Sequence, residues 1–257
     1  MSIRARKRFG QHFLIDAHVI DSIVSAAAIQ RGDRLVEIGP GRGALTQRLL
    51  DAAGTLDVIE IDRDLAAMLR EHYAQAPELT VHAADALQFD FAELATARGG
   101  PLRLIGNLPY NISTPLLFRL LDFAPVISDL YVMLQREVIE RMAAAPGSSD
   151  YGRLTVMLAP WMHVEPLFEV PPDAFTPAPK VWSAVARLTM LGTPAFPVSP
   201  GFSAVVAAAF SHRRKTIRNA LRGIVTAGQI EAAGIDGGLR PEVLSPRDFN
   251  RLASALD

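Results

Sequence analysis

Short apolar runs alternate with stretches whose apolar positions recur every three or four residues over the first two-thirds of the chain. The runs Leu35–Gly39, Leu56–Ile61, Leu79–His82, Leu102–Gly106 and Leu130–Leu134 read as strands. The stretches Ala44–Leu50, Leu65–Tyr73, Ser113–Leu121 and Glu137–Ala145 read as helices between or after them. Alternation at this short spacing predicts a parallel sheet covered by helices on both faces. Val164–Val170 and Val181–Leu188 are again strand-like, but only the proline-rich stretch Pro171–Pro179 separates them. No helix fits in that gap, so these two runs are expected to form an antiparallel edge and complete a seven-stranded sheet. Leu191–Pro200 has three prolines and little periodicity, which marks a linker. Gly201–Asp257 has helical patterning and no clear strand. The expected division is therefore a Rossmann-like α/β domain over 1–190 and a small all-α domain over 191–257.

Composition narrows the class. With 257 residues and 49% hydrophobic side chains, the chain can bury a sizeable core. It has no cysteine, which removes disulfides, thiolate metal sites and a thiol nucleophile, and suits a reducing cytosol. The six histidines show no metal-ligand spacing, so no metal is expected. The basic N-terminus is interrupted by Gly10, Gln11, His12 and Asp16 before any signal-peptide apolar run develops. No stretch has the length and apolarity of a membrane span, and a cytoplasmic protein is expected. Net charge is −1, so any nucleic-acid surface must be local. Two cationic clusters offer one: Arg4, Arg6, Lys7 and Arg8 at the N-terminus, and Arg213, Arg214, Lys215, Arg218 and Arg222 near the C-terminus. At helical spacing Arg214, Arg218 and Arg222 share a face. Such runs are often only solvated surface, and they gain weight from the chemistry between them.

That chemistry lies at the expected strand ends. Glu37-Ile-Gly-Pro-Gly-Arg-Gly43 forms a strand-to-helix turn with the spacing G-x-G-x-G, not the G-x-G-x-x-G of a dinucleotide fold. Gly39 and Gly41 would let a ligand approach the backbone, though a tight packing turn accounts for them equally well. Glu60 ends the second strand, where an acid accepts from both hydroxyls of a ribose. Asp85 follows the third strand and suits the amine of an adenine. None of these groups requires a phosphate, so a nucleoside with a short polar tail fits best. Asn107-Leu-Pro-Tyr110 follows the fourth strand. An adenine N6 is a poor nucleophile because its lone pair is delocalised. Two acceptors aimed at its N–H groups favour the pyramidal nitrogen that can attack a methyl sulfonium. Asn107 offers a side-chain carbonyl, Leu108 or Pro109 a main-chain carbonyl, and Tyr110 a ring on which an extruded base can stack. Phe175 either forms the opposite wall of that stack or lies in the core under its proline-rich loop.

The chain resembles the ribosomal RNA adenine dimethyltransferases, and within them the bacterial small-subunit branch. The resemblance runs through Lys7–Leu14, Glu37–Gly43, Asn107–Thr114, Met133–Glu137, Tyr151–Leu154, Phe175–Val181 and Phe210–Asn219, essentially the whole chain. It implies that S-adenosylmethionine is the methyl donor and S-adenosylhomocysteine the product. It implies a cofactor site from His12, Leu14, Gly39, Gly41, Glu60, Asp85 and Asn107. Many relatives carry Asn where His12 stands. The target adenine is implied to sit at Asn107, Leu108, Pro109 and Tyr110 beside Phe175. The implied RNA contacts are Arg6, Lys7, Arg8, Arg213, Arg214, Lys215, Arg218 and Arg222. The implied substrate is a pair of adjacent adenosines near the 3′ end of 16S rRNA in an immature 30S subunit, methylated by a monomer that also monitors subunit assembly. Three other readings are a 23S rRNA methyltransferase of the macrolide-resistance type, a DNA adenine methyltransferase, and an assembly checkpoint without catalysis. A nicotinamide dehydrogenase fails on the glycine spacing.

Overall fold

The computed structural model describes residues 11–212 and 214–256. Its chain divides into two compact units, 1–139 with 164–192, and 140–163 with 193–257. The first unit opens with a two-residue strand β1 (Phe13–Leu14) and helix α1 (Ala17–Ala27), whose N–H groups at His18 and Val19 are capped by the Asp16 carboxylate. Strands β2 (Leu35–Ile38), β3 (Leu56–Glu60), β4 (Leu79–Ala83), β5 (Leu102–Asn107) and β6 (Ile127–Gln135) follow. Helices α2 (Thr46–Ala53), α3 (Arg63–His72), α4 (Phe91–Arg98) and α5 (Ser113–Leu121) make the crossovers between them. Helix α6 (Arg136–Ala143) follows β6, and α7 (Arg153–Leu158) precedes strand β7 (Met162–Val170). A second two-residue strand, β8 (Phe175–Thr176), and β9 (Ser183–Met190) close the sheet region.

The seven-stranded order is β4-β3-β2-β5-β6-β9-β7. Pairings among β2 to β6 are parallel, and β9 runs antiparallel to β6 from Asp129↔Thr189 to Gln135↔Ser183. The expected antiparallel edge is therefore present, with β9 inserted between β6 and β7. The chain reverses order between β2 and β5, so their carboxyl ends open a crevice where ligands of open α/β sheets bind. Strands β2 and β3 are buried at every position, as parallel strands covered on both faces must be. At the opposite end, Arg103 ties Asp33 and Asp129 together at 2.5 Å and 2.9 Å. Those contacts hold β5 and β6 in register and leave the carboxyl ends for other work.

The second unit carries α8 (Phe202–Ser211), α9 (Ile217–Ala220), α10 (Ala227–Ala232) and α11 (Pro246–Ser254). Its core gathers Phe202, Val205, Val206, Ile217, Leu221, Phe249 and Leu252, together with Tyr151 and Val156. This differs from the expected boundary at 190/191, because residues 140–163 pack with the C-terminal helices. Tyr151 explains the difference: it is 1% exposed in that core and its hydroxyl donates to the Leu244 carbonyl at 2.7 Å. The expected helical face of Arg214, Arg218 and Arg222 is not continuous either. Helix α9 spans only Ile217–Ala220, with extended backbone at Thr216 before it. Arg214, Lys215, Arg218 and Arg222 are nonetheless all exposed. Arg6, Lys7, Arg8 and Arg213 lie outside the described residues.

Candidate active site

The site begins where β2 ends. Beyond Ile38 the backbone turns through Gly39 and Gly41 at φ of 69° and 58°, a region that side chains disfavour. Gly41 faces the Phe13 ring closely enough that a Cβ there would meet it at 3.1 Å. Its N–H donates to Glu60 Oε2 at 3.1 Å, and the Asp62 N–H donates to Oε1 at 2.9 Å. Glu60 is thereby fixed at the end of β3, while Asp62 caps α3 by accepting from the Asp64 N–H. A Cβ on Gly39 would lie 3.7 Å from the Asn107 carbonyl oxygen and 3.9 Å from Pro109 Cδ. The glycine turn and the Asn-Leu-Pro-Tyr corner are therefore neighbours in van der Waals contact.

The corner is held from three sides. Asn107 Nδ2 donates to the His12 carbonyl at 3.0 Å, which fixes the amide. Among the described residues no donor reaches its Oδ1. The Leu108 N–H donates to Met133 O at 3.2 Å, and the Pro109 carbonyl accepts from the Ile112 N–H at 3.1 Å. Of the two main-chain oxygens the sequence offered, Pro109's is thus engaged, and Leu108's receives no N–H among the described residues. The Tyr110 hydroxyl and Ser183 Oγ share a hydrogen bond at 2.6 Å. The His12 ring stacks on Tyr110 with centroids 5.7 Å apart and an interplanar angle of 27°. His12 Nδ1 in turn bonds the Pro177 carbonyl at 2.7 Å. The arm that carries His12 is pinned by the β1–β8 pairing, Phe13↔Thr176 and Leu14↔Phe175.

One cavity of about 1130 Å³, counted to its open mouth, is lined by both motifs. Three acidic side chains, Glu37, Glu60 and Asp85, line it, with Arg42 as the sole Arg or Lys of the lining among the described residues. Arg42 is itself drawn over the Phe13 ring at 4.4 Å. Burial pushes the Glu37 carboxyl up to about 8, opposed by the Thr46 hydroxyl at 2.6 Å and helped by the nearby charge of Glu60. Burial also raises Glu60, against the N–H bonds of Asp62 and Gly41. Asp85 accepts the Leu87 N–H at 2.9 Å. With Glu37 holding its proton near neutrality, Glu60 and Asp85 remain as acceptors that suit a ligand bearing hydroxyls and amines and disfavour a pyrophosphate.

His12, Leu14, Gly39, Gly41, Glu60, Asp85, Asn107, Leu108, Pro109 and Tyr110 all line this cavity. Phe175 does not. It is 3% exposed and packs in the core with Leu14, Val170 and Val185, so of its two expected roles the structure shows the core one. The β-bridge to Leu14 explains this: in so short a ribbon the ring turns to the apolar side. Sequence reading missed Glu37 as a cavity group, although the acid was visible at the end of β2. It also missed Ser183 and Pro177, for which no local signal exists, because their partners lie 73 and 165 residues away. Among the described residues no cluster of three or more His, Asp or Glu side chains is gathered as a metal site would require.

Fold and site together define an S-adenosylmethionine-dependent methyltransferase, and a glycine turn beside Glu60 at the end of β3, opening on one cavity with the Asn107 corner, fits that cofactor. The family model for ribosomal RNA adenine dimethylase matches residues 2–257. The ribosomal RNA small subunit methyltransferase A of Pseudomonas syringae is 51% identical over 255 residues, 98% of this chain and 95% of that one. The protein of the same name from Tolumonas auensis is 53% identical over the same shares. Among solved structures, a dimethyladenosine transferase from Plasmodium falciparum matches with a TM-score of 0.79 at 25% identity, covering 94% and 96% of the two chains. The 23S rRNA methyltransferase ErmE matches at 0.71 and 30% identity, covering 95% and 99%. The chain belongs to the ribosomal RNA adenine dimethylase family.

Proposed function

We propose that this enzyme transfers methyl groups from S-adenosylmethionine to N6 of two adjacent adenosines near the 3′ end of 16S rRNA, giving dimethyladenosine. The observation that carries the reading is the contact between the glycine turn and the corner, together with Asn107 Oδ1 and Leu108 O, which receive no donor among the described residues. Those two oxygens accept the N–H groups of the target amine and favour its nucleophilic, pyramidal form. Tyr110 supplies the stacking surface for the extruded base, and its bond to Ser183 keeps the ring from rotating away. His12, Leu14, Gly39, Gly41, Glu60 and Asp85 hold the cofactor beside Asn107, with Glu60 on the ribose and Asp85 toward the adenine amine. S-adenosylmethionine supplies the methyl group as a sulfonium.

The small-subunit substrate is favoured over 23S rRNA because the named small-subunit relatives reach 51–53% identity, against 30% for ErmE. An immature 30S particle, action as a monomer, a cytoplasmic location and a second role in subunit assembly belong to the same proposal. Among the described residues no helix is long and apolar enough to cross a membrane. RNA phosphates are met by the N-terminal arm (Arg6, Lys7, Arg8) and by Arg213, Arg214, Lys215, Arg218 and Arg222 of the C-terminal helical region, 191–257. The double variant Arg214→Glu/Arg218→Glu is expected to weaken small-subunit binding by roughly 10-fold or more and to flatten its salt dependence. Cofactor affinity should stay unchanged. Binding assays across a salt series check this; an unaltered slope of log K against log salt would remove these two residues from the RNA surface.

A further inference from the structure

Of the Phe, Tyr and Trp residues described, only Trp182 is exposed, at 46% of its surface. The preceding residues share this exposure, with Val181 at 44% and Lys180 also on the surface. A single exposed apolar residue is ordinary, but Val181 and Trp182 are adjacent and both exposed, so they form a small apolar patch beside a cation. The position of this one is informative. Ser183, the next residue, is fully buried and bonds the Tyr110 hydroxyl at 2.6 Å. The Trp182 carbonyl accepts the Arg136 N–H at 3.0 Å, which locks its backbone to the end of β6. An indole on a rigid backbone thus stands one residue from the anchor of the tyrosine wall, outside the cavity, with a lysine two residues earlier. Lysine for phosphate and an exposed ring for a base make up the usual chemistry of single-strand recognition.

We infer that Trp182 is a second stacking platform, which takes a nucleobase next to the target adenosine in the RNA strand. This rests on the proposed RNA reading of the same site. When a base is extruded, its neighbours lose stacking partners, and an exposed indole next to Ser183, the anchor of Tyr110, replaces one of them. The residue acts on substrate binding and not on the transferring methyl. Trp182→Ala should therefore raise KM for unmethylated small subunits by about 5- to 150-fold, the range expected for loss of one base–aromatic stack. At saturating subunits kcat should be unchanged, as should cofactor affinity, which also reports that the exposed substitution leaves the fold intact. Trp182→Phe should recover most of the loss. With the photoreactive p-benzoylphenylalanine at position 182, irradiation of the complex should crosslink to 16S rRNA. A wild-type KM for Trp182→Ala would overturn the inference, as would crosslinks to ribosomal protein alone. If the unaltered chain fails to methylate small subunits, the RNA reading itself fails, and that control separates the two failures.

Discussion

Asn107→Ala is expected to slow methyl transfer by ~10²–10³ at saturating cofactor and substrate, by analogy with the loss of one preorganised oxyanion-hole donor. The side chain does two things in the structure. Its Nδ2 is committed to the His12 carbonyl, so its Oδ1 is held in one direction, with no donor to it among the described residues. Preorganisation of this kind has value because the enzyme spends nothing to reorient the group when the amine begins to pyramidalise. Asn107→Asp keeps an acceptor oxygen but loses the donation to His12, and should fall between wild type and alanine. Single-turnover rates measured beside small-subunit affinity check this. A slow variant that binds subunits normally also separates catalysis from any assembly role. If Asn107→Ala turned over within a few-fold of wild type, the corner would not be the reacting end.

The second large effect is on stability. Glu37 is 2% exposed, and its carboxyl is raised from 4.5 to about 8, chiefly by burial. Below the unfolded value both states carry the proton. Between there and about 8 the folded chain keeps a proton that the unfolded chain has lost, so stability declines as pH rises. The decline from this group approaches ~1.4 kcal/mol per pH unit inside the window and levels off above it. Glu60 is raised too and adds in the same direction. Glu37→Gln keeps the shape and can still accept from Thr46, but it cannot ionise. It should be clearly more stable than wild type at pH 8.5, with much of that advantage gone by pH 5. Denaturant titrations of both proteins across this range check it. Parallel pH profiles would mean that Glu37 is solvated or ionised in the folded chain.

Much of this architecture was readable because parallel strands buried on both faces leave unbroken apolar runs, as Leu35–Ile38 and Leu102–Ile105 do, apart from Glu37 and Arg103. The acids and amide at strand ends were visible for the same reason: they stand where an apolar run stops. The pairing of β1 with β8 was not readable, since two-residue strands have no periodicity. Helix α4 went unread because its eight residues carry alanine outside the buried face as well, at Ala92 and Ala97, so that the buried Phe91, Leu94 and Ala95 do not stand out as one face. Helix α1 was legible and overlooked, with Asp16 as its cap and Ile20, Ile23 and Ala27 on one face. Phe175 shows the limit most plainly. Its neighbours Pro177 and Pro179 suggested a presented loop, yet the partner that decides its direction is Leu14, far away in sequence. Likewise nothing near Tyr151 announces that it packs with helices beginning some fifty residues later.

Mass spectrometry of the 3′ fragment of 16S rRNA is the most direct measurement. Small subunits lacking these modifications would be incubated with the purified chain and S-adenosylmethionine. Two neighbouring adenosines should each gain two methyl groups on N6, and Asn107→Ala should leave the fragment unchanged over the same interval. Methylation elsewhere, on 23S rRNA alone, or at ring nitrogens in place of the exocyclic amine would contradict it.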